Sequence, residues 1–283
     1  MKVKSTVFGA VSLVNAIANK KGATVGISLK VEAIVENLPG KGIMIKSENK
    51  SLSSRLINKT IERIVSKEDL EKNKIEIELM SEIPTGYGLK SSSAISSAIA
   101  LACSKIFKPK MTDKQIILAG VEASIETKVS ITGAYDDACS CYYGGFNVTD
   151  NEKRKRVSFE KAPPNLVAII FIPKNRKRGN LKNLKLLSSV FGNAWELAKK
   201  GEYWDAMNIN GIATANILSS EPNIVLELVQ NGAIAASVSG NGPSIAAIAK
   251  NENEEKIKKV LAKSNGSIIV SKINNRKAEV IEL

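Results

Sequence analysis

The sequence predicts a two-domain α+β protein, and three observations carry that expectation. Short strand-like runs are separated by longer stretches with helical spacing, without the regular alternation of a wholly parallel sheet. Charge density rises at 151–156 (NEKRKR), and Pro163-Pro164 punctuates the chain soon afterwards. Of 283 residues, 43% are apolar, enough for one large core or two smaller ones. We therefore expect one unit over 1–155 and a second over 156–283.

The elements follow in order. Met1-Lys2-Val3-Lys4 and the apolar run from Val7 to Ala18 share the outline of a secretory leader, but Ser12 and Asn15 interrupt the run. Thr24–Val35 alternates in part, and Lys74–Leu79 (KIEIEL) alternates cleanly, as a half-buried strand should. Ser51–Val65 has helical spacing between them. After a turn at Pro84–Leu89, Ser91–Phe107 runs without a breaker, and Thr112–Thr127 opens on a Thr-Asp cap signal. Glycine turns are expected at Thr132–Gly133 and Gly144–Gly145. In the second half, Leu166–Ile172 reads as a buried strand stopped by Pro173. Helices are expected at Leu181–Lys199, Tyr203–Leu218, Ile224–Asn231 and Glu252–Lys263. Ala233–Val238, Ser244–Ala249, Ser267–Ser271 and Ala278–Ile281 read as short strands, with a turn at Ser239–Pro243.

Composition narrows the chemistry. The chain has no histidine, which removes the usual neutral-pH base, the Ser–His and Cys–His pairs and the commonest zinc ligand. Cys103, Cys139 and Cys141 lack the partners a zinc site needs and read as reduced core thiols. Any reaction must then use carboxylates, lysines, hydroxyls, backbone amides or a hard metal ion. The 41 basic residues against 28 acids give a net charge of +13, which attracts anions of every kind. They are spread along the chain and match no familiar nucleic-acid motif. No stretch reaches the roughly 18 apolar residues of a membrane span. The expected setting is cytoplasmic, with small-molecule partners, no nucleic acid and no membrane, as a monomer or homodimer.

The segment Pro84-Thr85-Gly86-Tyr87-Gly88-Leu89-Lys90-Ser91-Ser92-Ser93-Ala94 follows a strand and opens a helix. Glycines at 86 and 88 let the backbone take positive φ and pass close to a ligand. The first amides of the helix point outward with the positive end of its dipole behind them, a ready phosphate site. Ser91, Ser92 and Ser93 add hydroxyls, and Lys90 adds a charge. The spacing is not that of a Walker A loop. Glycines and serines also build ordinary strand-to-helix turns. Three serines after Gly-Leu-Lys favour the phosphate reading.

This P-x-x-x-G-L-x-S-S-S-A pattern resembles the second motif of the GHMP kinases, a family that includes galactokinase, homoserine kinase and mevalonate kinase. Val238-Ser239-Gly240-Asn241-Gly242-Pro243-Ser244 resembles its C-terminal glycine-rich motif. Lys4, Gly9 and Gly22-Ala23 resemble its first motif faintly, with Ala10 where an acid is usual. The resemblance implies a ribosomal protein S5 domain 2-like N-terminal domain and a ferredoxin-like C-terminal domain. It also implies ATP, with Pro84 to Ala94 around the phosphates.

Ile131-Thr132-Gly133-Ala134-Tyr135-Asp136-Asp137-Ala138 occupies the place where the family's acid faces the acceptor hydroxyl. Its T-G-A-Y-D-D-A wording resembles the archaeal-type shikimate kinases, a branch of that family. The resemblance implies transfer of phosphate from ATP to shikimate. It gives Asp136, Asp137 and Lys4 catalytic roles, and Ser92 and Glu126 the Mg²⁺. Gly133, Tyr135, Ser239, Gly240, Asn241 and Gly242 would meet the acceptor. Arg176 and Arg178 are candidates to clamp an acidic acceptor, and equally the solvated face that a charge run usually makes. Homoserine or mevalonate as acceptor, or a nucleotide sensor without turnover, are the alternatives.

Overall fold

The computed structural model describes residues 1–47, 53–175, 179–218 and 222–283. Strand β1 (Lys2–Val14) is buried at every position from Ser5 onward. The apolar run that has the outline of a leader is thus a core strand, covered on both faces and so without alternation. It pairs antiparallel with β2 (Lys21–Pro39), a 19-residue strand that carries two partners in succession. Its first residues pair with β5 (Phe146–Asp150), and residues 31–39 pair with β4 (Asn73–Ser81). Strand β3 (Gly42–Ser47) runs parallel to β4 at one edge, and β6 (Lys155–Glu160) pairs with β5.

Helix α1 (Ser54–Ile64) is capped by the Ser53 hydroxyl, and residues 51 and 52 of the expected helix lie outside the described residues. A short helix, α2 (Lys67–Lys72), precedes β4. Helix α3 (Ser91–Phe107) packs against β1 and β2, with α4 (Asp113–Glu126) against α3. The expected Thr-Asp start of α4 is a full capping box, Thr112 with Gln115. The nine-residue helix α5 (Tyr135–Tyr143) has no counterpart in the sequence reading, because glycine turns flank it and it is short.

The second sheet is antiparallel, in the order β10 (Gly266–Lys272), β7 (Leu166–Pro173), β9 (Ile245–Lys250), β8 (Ala235–Val238). By position in the chain that order is fourth-first-third-second, the ferredoxin-like arrangement. The expected helix from Leu181 begins as a 3₁₀ turn at Leu181–Leu187 and continues as α6 (Ser188–Lys199). Helices α7 (Tyr203–Ile217), α8 (Pro222–Gln230) and α9 (Glu254–Leu261) complete this half.

A cut at 155 falls on the first residue of β6, so the two sheets part instead between Glu160 and Leu166. Strand β11 (Glu279–Glu282) also returns to the first sheet and pairs with β1. The halves are joined through α6 and α7: Trp195, Tyr203 and Met207 belong to the larger core, and Trp195 Nε1 donates to Thr149 O at 3.0 Å.

At Gly211 two effects oppose each other. Alanine would favour the α7 helix by about 1 kcal/mol. Its Cβ, however, would stand 2.2 Å from the backbone oxygen of Ala236 in β8. Backbone cannot yield as a side-chain tip can, so overpacking wins. Gly211→Ala should lose about 1–3 kcal/mol in urea denaturation; an unchanged or raised midpoint would disprove this close approach.

Candidate functional site

A cleft opens where the start of α3, the start of α5, the end of β1 and the 240–242 turn converge. Gly86 and Gly88 take φ of 84° and 83°, and Lys90 itself is left-handed at φ 67° as the N-cap of α3. No side chain caps that end, so the first amides of α3 are turned toward the cleft beside the Ser91, Ser92 and Ser93 side chains. Gly88 is dictated by contact as well as by φ: a Cβ there would meet Ser239 O at 1.9 Å.

The turn is sewn to the second half of the chain. Ser239 Oγ donates to Gly88 O at 2.8 Å, and Ser244 donates to Tyr87 O through its hydroxyl at 2.5 Å and its amide at 3.3 Å. Ser12 N donates to Ser239 Oγ, Gly240 N donates to Ser12 Oγ, and Asn15 Nδ2 donates to Gly240 O. Asn210 on α7 accepts from Asn15 N at 2.8 Å and donates to Ser237 Oγ at 2.7 Å. These buried amides and hydroxyls hold the 240–242 turn over the cleft.

Lys90 reaches neither solvent nor the open end of the helix. Its side chain is 5% exposed, and Nζ lies 2.9 Å from Asp137 Oδ1 and donates to Ser12 Oγ at 2.7 Å. Asp136, one residue earlier, is also buried and faces the same cleft. Its Oδ1 accepts from Asn151 Nδ2 at 2.7 Å, and its Oδ2 lies over Gly22, where a Cβ would stand 2.3 Å away. Burial first, and the charge of Asp137 second, push its carboxyl up from 3.8 to about 7; Lys90 and Asn151 pull the other way. Cys103, Cys139 and Cys141 are buried, and burial pushes all three thiols up, Cys103 and Cys139 to about 12.

Of the residues singled out in the sequence, Gly86, Gly88, Leu89, Lys90, Ser91, Ser92, Ser93, Asp136, Asp137, Gly240, Asn241 and Gly242 line this cleft. Pro84, Thr85, Tyr87 and Ala94 stand behind its wall, with Thr85 Oγ1 3.3 Å from Ser91 Oγ. Ser239 is buried beneath it as a tether, and Tyr135 turns into the core. Gly133 packs on Val121 and Ile125, between the cleft residues Thr132 and Ala134.

Two expectations need correction. Lys4 is on β1 but pairs with Glu32 at 3.3 Å and does not line the cleft. Glu126 is likewise elsewhere: Lys59 at 3.0 Å and Arg63 at 2.9 Å hold its carboxylate on the surface. Both ends of that pairing are explained by α4 facing α1, which the sequence spacing does not reveal. Arg176 and Arg178 lie outside the described residues.

The sequence reading missed Ser12, Asn15 and Asn151, and it named Gly22 only as part of a faint first motif. The first two were visible only as polar interruptions of an apolar run, and Asn151 as the head of a charged stretch. Among the described residues no group of three or more acids, cysteines or histidines is placed to hold a metal, and no helix is long and apolar enough to cross a membrane.

Comparison with known proteins agrees with this layout. Residues 55–145 match the family described as GHMP kinases N terminal domain, and residues 188–267 match GHMP kinases C terminal. The chain is 37% identical to a shikimate kinase of Methanosarcina acetivorans, covering 96% of this chain and 94% of that one. It is 34% identical to a shikimate kinase of Methanobrevibacter smithii, covering 94% and 95%, and 33% identical to one of Pyrococcus furiosus, covering 93% and 96%. Among solved structures, homoserine kinase from Cytophaga hutchinsonii superposes with a TM-score of 0.76 at 21% identity, covering 98% and 97%. Mevalonate kinase of L. major does so at 0.74 and 18%, covering 96% of each chain. At those identities the structural likeness speaks for the fold alone.

The raised Asp136 carboxyl has a consequence for stability. A group whose folded value lies above its unfolded one holds its proton more tightly when folded, so stability falls as pH rises from about 4 toward 7. Asp136→Asn removes that penalty. Melting temperatures should show the variant more stable than the native chain at pH 8, with the gap narrowing as pH falls from about 7 to about 4; a variant less stable at pH 8 would contradict the buried charge.

Proposed function

The chain belongs to the GHMP kinase family, and from the chemistry of its cleft we propose that it transfers the γ-phosphoryl group of ATP to the 3-hydroxyl of shikimate, giving shikimate 3-phosphate and ADP. The observation that carries this reading is one pairing: a buried carboxyl of raised proton affinity, Asp136, opens on the same cleft as the uncapped start of α3. One wall suits phosphate and the other suits a hydroxyl. The kinship with shikimate kinases over nearly the whole chain supplies the acceptor.

In this reading the amides and hydroxyls of Ser91, Ser92 and Ser93 bind the phosphates, helped by the positive end of α3. Gly86 lets the backbone of the turn pass close to the nucleotide, Gly88 makes room for the Ser239 carbonyl that braces the turn, and Asn241 and Gly242 close the opposite wall. Phosphoryl transfer asks mostly for positioning and for stabilisation of charge. Asp136 positions the acceptor hydroxyl and takes its proton as the oxygen bonds to phosphorus and the bond to ADP breaks. A carboxyl near neutrality is better matched to that task than an ordinary one. Lys90 offsets the charge of Asp137, so that the second acid does not repel the phosphates.

Every polar side chain near the phosphate wall offers oxygen or an ammonium, and the oxygens suit Mg²⁺, which takes few protein ligands and completes its shell with phosphate and water. Ser92 is the residue that would hold it, and bound there the ion would neutralise charge on the transferring group.

Acceptor choice is tested by ADP release with shikimate, homoserine and mevalonate in turn. Only shikimate should support turnover; comparable rates with either of the others would sink the assignment. Asp136→Asn should keep nucleotide affinity and lose about 10²–10⁴-fold in kcat. Full activity in that variant would remove Asp136 from the chemistry.

A further inference from the structure

The grip on the Asp136 carboxylate comes from a residue that neither the motif order nor the relatives' names point to. Asn151 lies just past β5, in the first turn position after the strand, and is 5% exposed. It holds Asp136 twice. Its Nδ2 donates to Asp136 Oδ1 at 2.7 Å, and its Oδ1 accepts from Asp136 N at 3.1 Å. The amide is itself oriented: Thr149 Oγ1 donates to Asn151 Oδ1 at 2.7 Å, and Asn151 N donates to Lys20 O at 2.8 Å. Both polar ends of the side chain are therefore committed, and a flipped amide would face an N–H with an NH₂ group.

We infer that Asn151 is the positioning residue for Asp136: it occupies Oδ1, leaving Oδ2 over Gly22 as the oxygen that meets the acceptor hydroxyl, and it favours the ionised form of that carboxylate. The inference rests on the reading of Asp136 given above. Geometry supports it from both sides. A rigid two-point clamp fixes the plane of the carboxylate, and the missing side chain at Gly22 leaves the room into which Oδ2 points. A hydrogen bond donated to a carboxylate stabilises its charged state, so Asn151 works against the burial that would otherwise keep Asp136 protonated.

The other groups around Asp136 do not duplicate this role. Asp137 and Lys90 are paired with each other, and Cys139 and Cys141 are buried thiols on the same helix, α5. On β2, Thr24 Oγ1 donates to Asp136 O rather than to its carboxylate and Lys21 lies over the ring of Trp195, while Lys20, just before the strand, pairs with Glu152. On α4, Glu122 pairs with Arg63 and Arg154. On β1, Ser12 is taken by Lys90 and Gly240. Asn151 alone among the described residues bonds the carboxylate from outside its helix.

The test measures kcat and kcat/KM against pH for the native chain, Asn151→Ala, Thr149→Val and Asp136→Asn, with ADP affinity as a check on the fold. Asn151→Ala should lower kcat about 10- to 100-fold while ADP affinity stays within twofold. Its acid limb should move up by about one pH unit, since the bond that favours the charged form is gone. Thr149→Val loosens the amide without removing it and should shift the limb in the same direction by less; it carries the test if Asn151→Ala does not fold. An unmoved acid limb with kcat within twofold of native, while Asp136→Asn is inactive, overturns the inference and leaves the function standing. An active Asp136→Asn overturns both.

Discussion

Lys90 carries a charge into a place that water scarcely reaches, and the site is arranged around that ammonium. An isolated buried charge would cost several kcal/mol, more than the chain could spare. Asp137 at 2.9 Å and the Ser12 hydroxyl at 2.7 Å offset the loss of solvent, and the backbone of Gly240 crosses just beside Nζ because it carries no side chain. One ion thereby ties the first turn of α3, the first turn of α5 and the end of β1, and it admits the 240–242 turn from the other half of the chain. The α3 wall and the α5 wall of the cleft keep their spacing through this contact.

The two neighbouring acids illustrate how environment divides equal side chains. Asp137 meets an ammonium and spends its charge there. Asp136 meets an amide and an absent side chain, and burial together with the charge of Asp137 outweighs the pull of Lys90 and Asn151, so its proton affinity rises. A chain without histidine thereby holds a group of near-neutral proton affinity, a carboxyl moved upward in place of an imidazole. The cysteines beside it, whose thiols burial moves upward, take no part.

Much of the fold was legible because its signals are local. The alternation of Lys74–Leu79, the uninterrupted Ser91–Phe107 and the cap at Thr112 each need only neighbouring residues to act. Strand β1 was not, because a strand covered on both faces has the same uniform apolarity as a leader or a buried helix. Helix α5 escaped for the opposite reason: it is nine residues long, starts from a left-handed Ala134 and is held by contacts with β1, β2, β5, α3 and α4, so little in its own sequence demands it.

By itself the sequence determined the glycine turn and the helix start that we propose bind phosphate, since glycines at 86 and 88 and a helix opening on three serines have their effect within a dozen residues. It also determined that any proton chemistry would fall to carboxylates, and that the acids at 136 and 137 were the candidates. Only the tertiary structure decided which acid meets an amide and which a cation, that Lys90 turns inward, and that Glu126 is held by α1 instead of facing the cleft. It alone brought Ser12, Asn15 and Asn151 to the site and set Gly22 against Asp136. The physical reason is that charge and hydrogen bonding act across a few ångströms of space, whereas Ser12, which answers Lys90, lies 78 positions from it and is bonded in turn by Gly240, 228 positions away.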